Sequence, residues 1–223
     1  MPIGANRAGI VSQVRDAIPG SRLSRHEFEG GLSDSWGDRA ATWTSNDGND
    51  AQFSTTAAVG DQAVDIDNSN NEGVNLPNYP DSFFEKGTVS IWIDTEKNGY
   101  PLWFGNDVSG ESRAIRTADG TYEFVGFSND FDTGVAPSSG FEMATITWDA
   151  SNSSATFYLN DANEIGSSSS LNGLTSPSSQ SNAIGYRRTD SSLHDTLLAD
   201  DQRTYDKILS ATEISNLYNT GRI

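Results

Sequence analysis

The sequence predicts an all-β protein, built as one antiparallel sandwich or jelly roll. Short runs of alternating or fully apolar residues recur along the chain, separated by polar turns rich in Gly, Asn, Asp and Ser. Only two segments have the apolar spacing of a helix, and both are short. Strand and helix patterns do not alternate as a parallel sheet requires, so an antiparallel fold is favoured.

The first helical segment lies at the N-terminus. Ile10, Val14 and Ile18 are spaced by four residues, and Pro19-Gly20 ends the pattern. Through Arg25 this segment carries four Arg and one Asp, whereas the rest of the chain is acidic. We interpret residues 1–25 as an arm that docks on a partner or on copies of the chain, and residues 26–223 as the jelly-roll domain. The alternative is a helix packed back onto the same domain.

Three strands are recognisable in the middle of the chain. Residues 88–93 alternate and then become fully apolar, as an interior strand does. Residues 141–149 place Ala144 and Trp148 on one face, and residues 155–159 repeat the alternation. A polar turn beginning at Asp149 joins the last two strands into a hairpin.

The second helical segment lies at the C-terminus. Ser210 and Glu213 have the spacing of a capping box, and Leu209 and Ile214 are placed as a hydrophobic staple. Gly221 is a stop signal, so a short C-terminal helix is predicted.

Composition excludes several classes of function. The 223 residues include 31 Asp and Glu against 14 Lys and Arg, a net charge of -17. Nucleic acid and anionic lipid repel such a surface, and we expect neither as a partner. The chain has no Cys, which excludes disulfides, a thiolate nucleophile and a Cys-based zinc site.

The acidic surface is also poor in Lys, with only Lys86, Lys97 and Lys207. Acidic surfaces of short polar side chains are typical of extreme halophiles, where salt screens the self-repulsion. An ordinary acidic secreted protein is the alternative. No apolar h-region follows the N-terminus, and no run of about 18 apolar residues occurs. We therefore expect no signal peptide and no membrane span.

Beyond these patterns, the C-terminal string resembles a known family. Residues 198–219 read LADDQRTYDKILSATEISNLYN, similar to the D-D-x-R-x-Y strand and L-S-x-x-E-I-x-x-L-Y helix of laminin-G-like, concanavalin A-like jelly rolls. The segments at 26–37, 65–77, 88–93 and 144–160 resemble that family's earlier strands in the same order. The resemblance implies a jelly-roll fold over about residues 24–220.

The opening of the chain resembles a second group. An arm that ends in Ile18-Pro-Gly-Ser, followed by a first strand and Asp34-Ser-Trp-Gly, is similar to the start of virion proteins of tailed haloarchaeal viruses. This resemblance implies a structural protein that leaves the cell inside an assembled particle and needs no signal peptide.

We find no pattern of reactive residues that predicts an enzyme. G-x-S-x-G, H-E-x-x-H, the P-loop and G-x-G-x-x-G are all missing. The two His, His26 in a predicted strand and His194 in a polar loop, are interpreted as structural or solvated. Glycan hydrolysis on this fold uses carboxylates spaced E-x-D-x-x-E, but the closest pair here is Glu27 and Glu29, interpreted as sharing one strand face.

A structural Ca²⁺ is the cofactor that the jelly-roll resemblance implies. In such domains the ion lies between the first and last strands, and the matching ligands are Glu27 or Glu29 with Asp200 or Asp201. The loop from Asp65 is a second candidate, but it lacks the Gly and the final Glu of an EF-hand, so a solvated turn is favoured there.

Glycan binding is a frequent activity of the family that the chain resembles. It requires an aromatic platform with polar side chains around it. The alternative for each candidate is an aromatic that covers the core or a surface turn. Asn152-Ser-Ser154 is in addition an N-x-[ST] sequon at the predicted hairpin tip. The candidates for glycan contact are Tyr79, Trp103, Asn129, Asp130, Tyr186 and Arg187.

Three functions follow as hypotheses. The first is a non-enzymatic structural protein on the exterior of a haloarchaeal virion, as a head decoration, turret or tail-fibre component. Its arm would bind other virion proteins, its sandwich would contact host surface glycans or a glycoprotein, and it would form a trimer or pentamer. The alternative is a carbohydrate-binding module of a haloarchaeal cell-surface or secreted protein. A glycan hydrolase or lyase is a third hypothesis, which turnover of an acidic polysaccharide would support.

Overall fold

The structure is a computed structural model, and it describes residues 21–44, 52–67, 73–95, 98–171, 173–187, 192–193 and 196–221. The predicted arm helix with Ile10, Val14 and Ile18 lies outside these residues, as does His194. No helix in the described ranges is long and apolar enough to cross a membrane.

The described residues are almost all in strands, turns and loops. Two helices are present, α1 (Asp81–Glu85) and α2 (Ala211–Gly221), with a 3-10 turn at Ala150–Asn152. The strands in chain order are β1 (Arg22–His26), β2 (Thr42–Thr44), β3 (Gln52–Ser54), β4 (Ala63–Asp67), β5 (Gly73–Asn75), β6 (Lys86–Asp94), β7 (Gly99–Gly105), β8 (Ser112–Ala118), β9 (Thr121–Val125), β10 (Phe131–Asp132), β11 (Glu142–Asp149), β12 (Ser154–Leu159), β13 (Asn163–Ser168), β14 (Ala183–Ile184), β15 (Tyr186–Arg187), β16 (Ser192–Leu193) and β17 (Thr196–Tyr205).

The strands form two sheets that pack face to face, as predicted for a jelly-roll sandwich. In the described residues the first sheet has the order β13-β12-β11-β6-β17-β4-β3, with β1 also paired to β17. The second has the order β10-β9-β8-β7-β14-β5-β2, and β15 and β16 form a separate hairpin. The pairs within these sheets are antiparallel, which confirms the predicted fold class.

The core between the sheets is aromatic. Helix α1 inserts Phe83 and Phe84, both fully buried, between the layers. The Phe83 ring lies edge-on to Trp148, with ring centroids 4.9 Å apart, and the indole Nε1 of Trp148 donates to the Phe83 carbonyl at 2.8 Å. A Cβ at Gly87 would lie 2.3 Å from the Trp148 ring, so glycine is required for this close packing.

Helix α2 covers the outer face of the first sheet. Leu209 and Ile214 belong to one buried cluster with Trp92, as the predicted hydrophobic staple requires. The Glu213 carboxylate accepts from the Ser210 backbone N–H at 2.8 Å, and the Ser210 hydroxyl accepts from the Glu213 N–H at 3.3 Å. The capping box is therefore confirmed.

The predicted hairpin is also confirmed. Strands β11 and β12 pair from Ala144 with Leu159 to Asp149 with Ser154, and the 3-10 turn closes the tip. The Asp149 carboxylate accepts from the N–H groups of Ser151 and Asn152, at 3.0 and 3.3 Å, which explains why the turn begins at Asp149.

The first strand differs from its predicted position. Strand β1 begins at Arg22, so the division placed after Arg25 falls inside a strand. Arg25 is 3% exposed, and the Arg22 guanidinium lies 5.4 Å from the centre of the Trp36 ring. Part of the positive charge assigned to the arm therefore belongs to the sandwich.

Glu27 and Glu29 do not lie on a strand face as interpreted. They follow the end of β1, and Phe28 between them has φ 57°, a left-handed conformation that turns the chain.

The last strand, β17, changes partners halfway along its length. Its first half pairs with β4 from Thr196 to Ala199, and its second half pairs with β1 from Gln202 to Tyr205. The register of β17 in its pairing with β6 shifts between Asp200 and Arg203, and Asp201 has a left-handed backbone with φ 42°. A bulge thus marks the point where β4 ends and β1 begins.

Candidate ligand-binding depression

A surface depression of about 390 Å³ lies beside this change of partner. Strands β1 and β4 pair with different halves of β17, and neither extends past the point where the partner changes. The loop after β1 therefore forms one wall of the depression, and the loop before β4 forms the other. Carboxylates, hydroxyls and glycines dominate its lining, which consists of Glu27, Phe28, Glu29, Gly31, Ser33, Ser35, Gly60 and Asp61. We call it the inter-strand depression.

Asp34 organises the first wall. Its carboxylate accepts from the backbone N–H groups of Arg25 and Trp36, both at 2.9 Å, and of Arg39 at 3.3 Å. These bonds fold the segment after β1 back on the strand and leave Ser33 and Ser35 exposed.

Two carboxylates hold the second wall. Asp200 Oδ2 accepts from the N–H groups of Ala58 and Val59, at 2.9 and 2.8 Å. Both carboxylate oxygens of Glu29 lie 3.1 Å from the N–H of Asp61. Gly60 has φ +70°, and a Cβ there would lie 1.6 Å from Glu29 Oε1, so the close approach requires glycine.

Beneath the depression runs a buried chain of charges. Arg25 Nη1 contacts Glu27 Oε1 at 2.8 Å, and Arg25 Nε donates to Asp201 Oδ1 at 2.7 Å. Arg203 donates to the same oxygen of Asp201 at 3.0 Å and also contacts Oδ2. Burial opposes ionisation of Asp201, but Arg203 and Arg25 hold its pKa below the ordinary value.

Asp200 is in the opposite electrostatic situation. Its side chain is fully buried, and no described group hydrogen-bonds to Oδ1. Burial raises the pKa of Asp200 to about 7 in spite of the amide bonds from Val59 and Ala58, and the charge of Asp201 adds to the rise.

These contacts bear on the predicted calcium ligands. Glu27 and Glu29 line one depression, whereas Asp200 and Asp201 lie beneath it and already accept from amides and guanidinium groups. In the described residues no group of three or more acidic or imidazole side chains is arranged to hold a metal ion. Arg25 and Arg203 already engage Asp201, whereas Oδ1 of Asp200 accepts from no described group, and calcium binding stays a prediction. Chelation at fixed ionic strength tests it, because an unchanged melting temperature would remove the claim.

Of the predicted glycan contacts, three aromatics lie inside the molecule. Tyr79 is 3% exposed, and its hydroxyl lies 2.8 Å from the Ser24 hydroxyl. Trp103 is fully buried, and the Tyr186 hydroxyl contacts Thr44 at 2.9 Å. Buried rings offer no platform to a sugar at the surface, so the structure favours the alternative that these residues cover the core.

Of the remaining candidates, Asn129 and Asp130 lie on a loop and Arg187 lies in strand β15. Asn129 is buried and Asp130 is exposed, and Asp130 accepts from the Gly126 N–H at 3.0 Å. Phe127 and Ser128, between Gly126 and Asn129, have positive φ, which makes this a tightly bent loop. The side chain of Arg187 lies outside the described residues. Contact of these residues with a glycan stays a prediction.

The site residues predicted from the sequence did not include Ser33, Ser35 or Asp61, which line the depression. The neighbouring Trp36 lies outside the lining, and its ring packs 5.3 Å from Tyr205. The signal was the segment from Gly30 to Gly37, in which small residues surround a single aromatic. Its arrangement next to residues 58–61 depends on contacts between distant segments, which periodicity does not reveal.

His26 occupies the interior and is not placed as a catalytic base. It ends β1, is fully buried, and stacks at 6.2 Å on Phe28. Burial lowers its pKa, with Asp34 acting in the opposite direction.

Several solved structures share this fold. Domain 4 of AbnA, a GH43 extracellular arabinanase from Geobacillus stearothermophilus, solved in complex with arabinotriose, superposes with a TM-score of 0.67 at 20% identity, over 89% of this chain and 98% of that one. The binding domain of botulinum neurotoxin serotype D gives 0.64 at 16% identity, over 89% and 51%. The neurotoxin DC binding domain in complex with SialylT gives 0.65 at 14% identity, over 92% and 52%.

The chain therefore spans about half the length of the toxin binding domains. No protein-family model matches the sequence, and no curated protein matches it either. At these identities the likeness shows the fold alone, a jelly-roll sandwich.

Proposed function

We propose that the chain is a non-enzymatic binding domain that holds a glycan in the inter-strand depression. The observation that carries this proposal is the lining, in which Glu29, Ser33 and Ser35 are exposed while buried charges fix the walls behind them. Sugar hydroxyls donate to carboxylates and exchange hydrogen bonds with serines, which are the groups that this lining presents.

The same contacts favour binding over hydrolysis. A glycosidase needs one carboxyl group as acid and a second as base or nucleophile on either side of the bond. Here Glu27 is tied to Arg25 and Glu29 to the Asp61 amide, so both act as fixed hydrogen-bond acceptors. Two structural neighbours support a glycan ligand, one solved with arabinotriose and one with SialylT.

Titration with a panel of neutral and acidic oligosaccharides, including arabinotriose, tests the proposal by calorimetry. Ser33→Ala and Glu29→Gln should each weaken binding by roughly tenfold, as expected for the loss of one good polar contact. Glu164→Gln on the exposed strand β13 is the matched control and should bind as the unchanged protein does. Binding that survives both depression variants would contradict the assignment.

Within this function, the finer proposal is a structural protein of a haloarchaeal virus particle. The net charge of -17 and the arm-like N-terminal segment support it. Mass spectrometry of purified virions should detect the chain, and absence from the particle would favour a carbohydrate-binding module of a cell-surface or secreted protein.

Deletion of residues 2–20 should leave a folded monomer that no longer assembles; an unfolded product would show that the segment belongs to the domain.

A further inference from the structure

The tip of the β11–β12 hairpin carries the sequon Asn152-Ser-Ser154, which glycan binding does not use. Ser151 and Asn152 are exposed, and Ser153 has φ 50°, so the chain reverses here and presents Asn152 to solvent. We infer that Asn152 is an attachment site for an N-linked glycan in the exported chain, an inference that rests on the cell-surface or secreted form of the proposed function.

The tip tolerates this modification because the hairpin does not depend on the amide of Asn152. Its Nδ2 donates one bond, at 2.8 Å, to Asp149 Oδ2. Asp149 is held independently by the Ser151 N–H at 3.0 Å and by Lys86 Nζ at 3.0 Å. A glycosylated amide nitrogen keeps one hydrogen, so even the bond to Asp149 can persist.

The reaction is a transfer from a lipid-pyrophosphate-linked oligosaccharide, catalysed by an oligosaccharyltransferase. Nδ2 of Asn152 bonds to the anomeric carbon, the bond from that carbon to the pyrophosphate oxygen breaks, and lipid pyrophosphate leaves with the electron pair. Nδ2 loses one proton, which a base of the transferase accepts. The hydroxyl of Ser154 supplies the third position of the sequon.

The attachment site lies far from the inter-strand depression. Asp149 pairs with Lys86 at one end of β6, whereas Trp92 is opposite Asp200, beneath the depression. Six residues of strand separate these two rows, about 20 Å at the usual rise. An attached glycan and a bound one therefore occupy separate parts of the molecule.

The test is to secrete the full chain, behind a cleavable leader, from a host that N-glycosylates exported proteins. Intact mass and glycopeptide sequencing should show a single glycan on Asn152. Asn152→Gln and Ser154→Ala should restore the unmodified mass, and Ser154→Thr should retain the glycan. All three variants should melt near the temperature of the unmodified chain, since the tip is exposed.

Asp119→Asn is the matched control, because it creates a sequon with Gly120 and Thr121 at the tip between β8 and β9. An unmodified Asn152 overturns the inference whether or not the control sequon is used. Glycosylation of the control alone would locate the failure in the turn around Asn152.

Discussion

At the scale of single residues, Arg113 shows what a buried charge does in this sandwich. Its side chain is fully buried, and no described carboxylate lies within ion-pair distance. Its guanidinium donates to the carbonyls of Gly110 at 2.7 Å, Ser112 at 2.8 Å, Phe84 at 2.7 Å and Thr175 at 3.3 Å. Burial lowers the pKa of Arg113 to about 9, so it stays charged at neutral pH.

Arg113→Met should therefore destabilise the fold strongly. Four carbonyls from three separate segments lose their donor, and each bond to a charged donor contributes about 1.5–3 kcal/mol. We expect a loss of at least about 3 kcal/mol in urea unfolding. Arg39→Met is the control, since Arg39 makes an exposed bond to the Asn78 carbonyl and should cost less than about 1 kcal/mol. Equal losses would contradict this role.

Asp200 makes stability depend on pH. Because its pKa is raised to about 7, the folded state holds the proton more tightly than the unfolded state, and stability falls as pH rises from about 4 to about 7. Asn at this position can still accept from the amides of Ala58 and Val59 without titrating. Asp200→Asn should thus gain stability relative to the unchanged protein across that range, by an amount of the order of a few kcal/mol.

The effect of Asp200 is separated from that of His26 by the difference in the free energy of unfolding between Asp200→Asn and the unchanged protein. Burial lowers the pKa of His26, so its contribution rises with pH up to about 6.5 and opposes the trend, but it is present in both chains. If this difference in the free energy of unfolding does not change between pH 4 and 8, Asp200 titrates normally and the prediction is wrong.

The residue types in the sequence identified side chains with the chemistry of a glycan-binding site, but they did not show which of those side chains are exposed. Tyr79 and Trp103 have the chemistry of a sugar platform, yet the folded chain buries both. Exposure is a property of tertiary packing, and a loop aromatic next to a turn has the same local pattern whether it faces inward or outward.

At the scale of elements, helix α2 depends on its first turn. Ser210→Ala removes the hydroxyl that accepts from the Glu213 N–H and should cost about 1 kcal/mol. Ser210→Thr keeps that acceptor and should cost much less. The urea midpoint should fall for the first variant with an unchanged slope; a changed slope would indicate that the helix separates from the sheet before the rest unfolds.

Strands and helices with a strong local signal were predictable, and those that depend on distant partners were not. The β11–β12 hairpin and the capped helix α2 follow from spacing and turn chemistry alone. Helix α1 has five residues and is held by the packing of Phe83 on Trp148, 65 positions away. The bulge at Asp201 exists because two strands share β17, and a single strand's sequence carries no record of its neighbours.

For the whole molecule, the charge of -17 predicts a dependence on salt. Exposed charges closer than about 10 Å still repel at 0.1 M salt, whereas near 1 M the screening length falls to about 3 Å and most of this repulsion is removed. We expect the melting temperature to rise by roughly 5 °C or more as KCl is added, about 1–2 kcal/mol for a domain of this size. The melting temperature should rise most steeply below about 0.5 M KCl, because screening of the surface charges changes most there. At higher salt, exclusion of the solute from the protein surface gives only a gradual rise in proportion to concentration. A flat curve at low salt would contradict the halophilic interpretation.

The shared strand β17 also determines when the protein can fold. It occupies the centre of the first sheet, between β6 on one side and β4 and β1 on the other, yet it comes from residues 196–205. Ser24 bonds to Thr204 across 180 positions of chain. Strands β1, β4 and β6 therefore leave the ribosome long before their common neighbour exists, and the sheet closes only after nearly all of the chain has been synthesised.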